Sequence, residues 1–262
     1  MQRIIFAFVT VISLQTIHAF SQINRCENDL ANLKKDSAKF FVDFKTEHDV
    51  AHNAFIQIKF AVQMLGSSFD QFLSIKYGED FPLDTLQCIL KQFVDSLTKQ
   101  HAETDKNIVH LQDEIDVLLN MASKFSRKQN LICRKGKFIG CEGSLNQLRC
   151  ELSDFFIVLK KAARQAGNDL WHIEDASSDL TRIEQKFKSK YTLTCGQTAG
   201  ETQPQKTCGC GKANINNLKH DIKIFYKEFR QPYDANINKV KDLSNICDNL
   251  SAEILSWNNK LA

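Results

Sequence analysis

Four long segments of the chain carry apolar residues at alternating steps of three and four residues. This spacing places the apolar side chains on one face of an α-helix, and that face must be buried against a partner. The segments cover approximately residues 24–77, 83–127, 144–190 and 213–262. The chain of 262 residues contains 3 Pro and 10 Gly, and this scarcity of helix breakers favours long, uninterrupted helices. The protein is therefore predicted to be all-α.

The lengths of the helices and of their connections favour a bundle. Segments of about 45 residues make helices about 65–70 Å long, and short connections place consecutive helices antiparallel. In each segment the apolar residues form a stripe that recurs about every 3.5 residues. This period predicts that the helices wind around each other in a left-handed supercoil. We predict a single domain over residues 20–262, an elongated, disulfide-stapled up-down-up-down bundle of about four long helices. Bends are expected near Gly66 and Pro232, and two smaller lobes folded back at these residues are the alternative.

The N-terminus has the three-part layout of a secretory signal peptide. Arg3 precedes an apolar run over residues 4–14, and small residues follow at Ala19 and Ser21. The run is too short for a bilayer span, which needs about 20 residues. We expect cleavage after Ala19, or else after Ser21, and a secreted mature protein. A buried N-terminal helix and a signal anchor are the alternatives.

The nine cysteines are interpreted as disulfides, because secretion exposes the chain to an oxidising environment. Zinc is the alternative, but structural zinc sites usually use cysteine pairs separated by about two to four residues. A disulfide needs Cα atoms within about 7 Å, so each bond should stay at one end of the bundle. One end is predicted to hold four cysteines that form two bonds, Cys88, Cys195, Cys208 and Cys210. The other end is predicted to hold five, of which one is left over, Cys26, Cys133, Cys141, Cys150 and Cys247.

Signs of catalysis are few. His48 and His52 are four residues apart, so on a helix they face the same way and could share a metal with a third ligand. A pair of histidines at the edge of a helical core is the simpler interpretation. The sequence contains no Gly-x-Ser-x-Gly nucleophile turn and no Gly-rich phosphate loop. We expect no catalytic residue, no metal and no cofactor, and predict that the protein is not an enzyme.

Three further features concern binding or modification. The basic run from Arg127-Lys128 to Lys137 could bind heparan sulfate or an acidic partner, or be a solvated connection. The pairs Phe40-Phe41 and Phe155-Phe156 could line a cavity for a hydrophobic ligand, or fill the core. Asn249-Leu250-Ser251 is a glycosylation sequon, and helix rotation places Asn249 partly outward.

The organisation of the chain resembles that of a known group of proteins. The signal at residues 1–19, the Lys-, Asn- and Phe-rich helices, and the cysteine-rich stretch from Thr194-Cys195 to Cys208-Gly209-Cys210 are similar to the helical salivary proteins of roughly 30 kDa that mosquitoes and other blood-feeding insects secrete. This resemblance implies a protein that is injected into a host, binds host factors or cells, and alters immune or haemostatic responses. It assigns no role to individual residues.

These observations predict a secreted, non-enzymatic interaction protein whose partner is a host protein or a cell-surface receptor. The alternative is a secreted carrier of a lipid or another hydrophobic ligand. The formal net charge is +3, which gives no reason to expect nucleic-acid binding. We expect no membrane insertion. The protein is predicted to be a monomer, or a dimer joined through the odd cysteine.

Overall fold

The computed structural model describes residues 2–74, 82–190 and 212–262. Over these residues the chain forms four α-helices and no strand: α1 Gln2–Ser74, α2 Leu83–Lys128, α3 Gly140–Lys190 and α4 Lys212–Leu261. The predicted all-α, disulfide-stapled bundle is therefore confirmed. Within the described ranges, none of the helices carries an apolar stretch long enough for a bilayer crossing.

Two helix starts differ from the predicted ones. α1 begins at Gln2 and not near residue 24, because the sequence offers no Gly or Pro before Gly66 to stop a helix. α3 begins at Gly140, four residues before Ser144, where the predicted segment starts. The Ser144 hydroxyl lies inside the helix and donates to the Gly140 carbonyl at 3.4 Å, so Ser144 does not begin α3. Gly140 has a φ of +62°, a conformation that glycine adopts without steric cost.

Pro232 does not split the fourth helix, which continues from Lys212 to Leu261. A proline inside a helix leaves the carbonyl four residues earlier, here that of Glu228, without its helical donor. Packing on both sides of the proline compensates for this loss. The Phe229 ring stacks on Phe69 with centroids 4.9 Å apart, and the Tyr233 ring lies 6.5 Å from Phe69.

The described chain divides into two compact units, and every helix contributes a segment to each of them. Unit 1 comprises Met1–Asp49, Ile115–Arg164 and Asp248–Ala262, and unit 2 comprises Val50–Glu114 and Gln165–Cys247. The prediction of one domain over residues 20–262 stays a prediction.

Aromatic rings fill the core of unit 1. The Phe41 side chain is fully buried and stacks on Trp257, with centroids 5.0 Å apart and planes inclined by 6°. Phe40 lies 4.5 Å from Phe125, and Phe155 meets Phe41 edge to face at 5.0 Å. These rings come from all four helices, so the interior of this unit is a shared aromatic cluster.

The helices of unit 2 alternate in direction, as the bundle prediction requires. Between α1 and α2, the Ser68 hydroxyl lies 3.3 Å from that of Ser96, and the Phe72 ring lies 4.7 Å from Phe93. From the first contact to the second, the residue number increases on α1 and decreases on α2. The two helices are therefore antiparallel. The ion pairs Asp169–Lys239 and Lys186–Glu228 show the same opposite numbering, so α3 and α4 are antiparallel as well.

Residues 100–107 of α2 are polar on nearly every face of the helix. In unit 2 one of its faces is buried, with 4% of His101, 1% of Thr104 and 6% of Asn107 exposed. Local hydrogen bonds compensate this burial. The Thr104 hydroxyl donates to the Gln100 carbonyl at 2.8 Å, and the Asn107 amide donates to the Glu103 carbonyl at 2.7 Å.

Candidate functional site

Two disulfides join four of the five cysteines that were predicted to share one end of the bundle. They are Cys26–Cys141 and Cys133–Cys150, with Cα atoms 6.1 Å and 4.5 Å apart. Both bonds lie in unit 1. Cys247 belongs to neither of them and is the last residue of unit 2. The two bonds join the start of α3 to residue 26 of α1 and to the connection that precedes α3.

The other predicted set of cysteines is described only in part. Cys88 lies on α2 and is disulfide-bonded. Cys195, Cys208 and Cys210 fall outside the described residues, so the pairing within this set stays a prediction.

The two histidines considered as metal ligands lie in different surroundings. His48 is 4% exposed in unit 1, and its Nδ1 atom lies 3.9 Å from Asp49 Oδ1. His52 is half-buried in unit 2, and its ring stacks on Phe55 at 6.2 Å. Among the described residues, no group of three or more His, Cys, Asp or Glu side chains is placed to hold a metal ion.

The adjacent phenylalanine pairs belong to the packed core. Phe156 is 5% exposed and meets Phe40 edge to face at 5.6 Å, while Phe155 lies 5.5 Å from Phe156. Rings at these separations make contact with each other. They therefore favour the filled core over the ligand cavity that these pairs suggested. Asn249, the sequon residue, is exposed on α4, and its glycosylation stays a prediction.

A buried polar network joins α2 and α3 in unit 2. The Glu184 carboxylate is 3% exposed, accepts a hydrogen bond from the Thr98 hydroxyl, and lies 2.6 Å from Lys188 Nζ. Its second oxygen lies 3.3 Å from His101 Nδ1. Burial raises the pKa of Glu184, but the adjacent His101 ring and the contacts with Lys188 and Thr98 outweigh it and hold the pKa below its usual range. His101 and Glu184 resemble an acid–base pair, but both are enclosed by protein, so their arrangement suits a structural role.

A groove between α3 and α4 in unit 2, about 720 Å³ in volume, runs past Pro232 and His172. Its charged side chains are largely paired with one another. Arg182 lies 3.0 Å from Asp179, and Lys186 lies 3.2 Å from Glu228. A ligand of either charge would have to compete with these internal partners.

A second groove in unit 2, between α2 and α3, has a different character. It has a volume of about 440 Å³, and we call it the α2–α3 groove. Its lining consists of Asp105, Ile108, Val109, Gln112, Asp113, Gly167, Leu170, Trp171, Glu174 and Ser178. Ile108 and Leu170 are buried and form its floor. Trp171 and Val109 are large apolar side chains that remain 58% and 63% exposed.

Helix periodicity and one glycine produce the α2–α3 groove. Gly167, Trp171, Glu174 and Ser178 recur at steps of three and four residues, which places them on one face of α3. Gly167 has no side chain, and a Cβ atom added there would meet only Gln112 Oε1, at 3.9 Å. The missing side chain leaves open space one turn before the Trp171 ring.

The charge of the α2–α3 groove is negative. Asp105, Asp113 and Glu174 line it, and no Lys, Arg or His does. Within the described ranges none of the three carboxylates forms an ion pair, although Asp105 accepts a hydrogen bond from Ser177 at 3.2 Å. The groove thus combines an exposed aromatic ring with three carboxylates that have no counter-ion in the described part of the chain.

Sequence reasoning missed this groove. Trp171 and Val109 each follow directly after a stripe residue, Leu170 and Ile108, and so lie beside the predicted core face. The sequence signal that could have indicated the groove was Trp171, which lies next to the apolar stripe of α3 and four residues after Gly167. Searches against protein-family models, curated proteins and solved structures found no match for the chain.

Proposed function

We propose that the protein is a secreted, non-enzymatic interaction protein that binds a host protein through the α2–α3 groove. In keeping with the resemblance to salivary proteins, its binding would modulate host immune or haemostatic responses. The observation that carries the proposal is the exposed Trp171 ring beside carboxylates that form no ion pair with any described residue.

Tryptophan is among the residues that most often dominate the energy of protein interfaces. A ring that is 58% exposed keeps apolar surface in contact with water, and a partner would remove that surface from water. Asp105, Asp113 and Glu174 would attract a basic segment and speed its association. The partner proposed is therefore a host protein with an exposed segment that combines Lys or Arg with an apolar side chain.

Extracellular placement is supported by the disulfides. The bonds Cys26–Cys141 and Cys133–Cys150 are of a kind that persists in oxidising compartments and is rare in the cytosol. The predicted signal at residues 1–19 agrees with this placement. Helical bundles are scaffolds that can carry a binding site on facing helices.

Capture from host plasma and blood-cell lysate tests the proposal. The immobilised wild-type protein should retain a defined host protein that Trp171→Ser loses. Leu255→Ser is the matched control, because Leu255 is 56% exposed on α4 in unit 1, and it should retain the same protein. The proposal fails if the wild type enriches nothing specific, or if Trp171→Ser captures the same protein as the wild type.

A further inference from the structure

The connection between α2 and α3, in unit 1, carries basic and apolar side chains that both point into solvent. We call residues 131–139 the basic loop. Arg134, Lys135 and Lys137 are exposed. Ile132 is 54% exposed and Ile139 is 88% exposed, the latter more than any other large hydrophobic side chain in the described ranges.

The charges of the basic loop lack ionic partners in the part of the chain that the structure describes. Among the described residues, Arg134, Lys135 and Lys137 form no ion pair. This differs from Lys128 at the end of α2, which lies 3.1 Å from Asp36 and holds the pKa of that carboxyl below its usual range. Three formal positive charges are thus concentrated within four residues between two exposed isoleucines.

Covalent bonds and hydrogen bonds hold the basic loop in place. Cys133 is bonded to Cys150 on α3, and Cys141, just after the loop, is bonded to Cys26. The side-chain amide of Asn146 donates to the Arg134 carbonyl at 3.1 Å, and its oxygen accepts from the Arg134 N–H at 3.0 Å. A loop ordered in advance loses little conformational entropy when it binds.

We propose that the basic loop attaches the protein to anionic lipid surfaces. Lys and Arg near a membrane are attracted by its negative surface potential. An apolar side chain gains free energy when it leaves water for the boundary between headgroups and acyl chains. The basic residues alone would also suit a sulfated glycan, but a glycan has no apolar region to receive Ile132 and Ile139. The pairing of both residue types on one short loop favours lipid.

This attachment goes beyond the proposed function, because it concerns a different unit and a different class of partner. It is peripheral, and it needs no spanning segment. It would concentrate the protein on negatively charged cell surfaces while leaving the α2–α3 groove to its own partner. A single weak lipid anchor gives reversible binding.

Vesicle co-sedimentation tests the inference, with vesicles of phosphatidylcholine alone and of phosphatidylcholine mixed with phosphatidylserine. Wild-type protein should bind the phosphatidylserine vesicles and lose that binding at high salt. The change R134Q/K135Q/K137Q should weaken binding by about 100-fold, which is about fivefold per charge. The change I132S/I139S should weaken it by at least about fivefold. The matched control V42S/I157S replaces two exposed apolar side chains on helices of unit 1 and should leave binding unchanged.

Binding to a heparin column distinguishes a sulfated glycan from lipid as the partner of the basic loop. Retention of both wild type and I132S/I139S on heparin, without wild-type binding to phosphatidylserine vesicles, would overturn the inference in favour of a glycan site. Equal binding to both vesicle types, or no effect of either loop variant, would also overturn it. Circular dichroism confirms that each variant is folded. Trp171→Ser should bind vesicles like the wild type, so the lipid test and the host-capture test fail independently.

Discussion

The hydroxyl group of Tyr233 on α4 occupies the space that a side chain at Gly66 on α1 would need. A Cβ atom added to Gly66 would lie 2.7 Å from the Cζ atom of Tyr233 and closer still to its hydroxyl oxygen. Gly66 is therefore the place where α4 can bring an aromatic side chain directly against the backbone of α1. α1 continues through Gly66 as one helix, and the bend predicted at this glycine stays a prediction.

Replacement of Gly66 by alanine should destabilise the protein by about 1–3 kcal/mol, because the new methyl group overlaps the Tyr233 ring. The matched control is Gly167→Ala, also in a helix of unit 2. There the added Cβ has ordinary contact with Gln112 at 3.9 Å, so the change should be neutral or stabilise by up to about 1 kcal/mol. Urea unfolding of the two variants gives the comparison, and equal midpoints would contradict the packing described.

The pH dependence of stability should change when Glu184 is replaced by glutamine. Because the pKa of folded Glu184 lies below its usual value of 4.5, its ionised form stabilises the native state above that value. This contribution is lost as the pH falls through the lower, folded pKa.

Glu184→Gln should therefore cost about 1–3 kcal/mol at neutral pH, and the deficit relative to wild type should shrink below about pH 4.5. Denaturant unfolding at a series of pH values measures this deficit. Glu253→Gln, at an exposed carboxylate of α4, serves as the control and should show little deficit at any pH. A deficit for Glu184→Gln that does not change with pH would contradict the proposed network with His101, Thr98 and Lys188.

Truncation of the two tryptophans of the chain should change the stability of the protein by very different amounts. Trp257 is 7% exposed and stacks on Phe41, so Trp257→Ala should destabilise by about 3–5 kcal/mol through the cavity that it leaves. Trp171 is exposed on the rim of the α2–α3 groove, so Trp171→Ala should change stability by no more than about 0.5 kcal/mol. Thermal unfolding followed by circular dichroism measures both changes. A large loss from Trp171→Ala would mean that this ring serves the fold rather than a partner.

The two disulfides of unit 1 should differ in their contribution to stability. Cys26–Cys141 closes a separation of 115 residues and Cys133–Cys150 closes one of 17. Loop-closure entropy then predicts a loss of about 5 kcal/mol for Cys26→Ser/Cys141→Ser and about 3 kcal/mol for Cys133→Ser/Cys150→Ser. Guanidinium unfolding of the paired variants tests this order. The reverse order would show that chain entropy does not dominate these bonds.

Periodicity was sufficient to predict the helices and most of their buried faces. The α1 residues at steps of three and four are buried from Leu33 to Phe72, and two of these buried residues, Ser37 and His48, are polar. Phe41 lies next to the apolar stripe of α1, and Phe156 lies next to that of α3. Their burial depends on rings from other helices, so it could not be assigned from spacing alone.

Local rules did not predict the packing around Pro232. The bend expected there stays a prediction, whereas α4 is continuous through the proline, and Phe229 and Tyr233 pack on Phe69 from both sides of it. The site was missed for a related reason. Trp171 follows a core residue by one position, so its exposure depends on how α3 is rotated about its axis against α2. The apolar stripe defines this rotation only coarsely.

Site-specific photo-crosslinking in host plasma tests the central claim most directly. A photoreactive amino acid is placed at Val109, on the rim of the α2–α3 groove, or at Ile157 in unit 1, a position that is also 63% exposed. We predict a discrete covalent adduct with one host protein from position 109 and none from position 157. No adduct from position 109, or the same adducts from both positions, would contradict the assignment of this groove as the binding site.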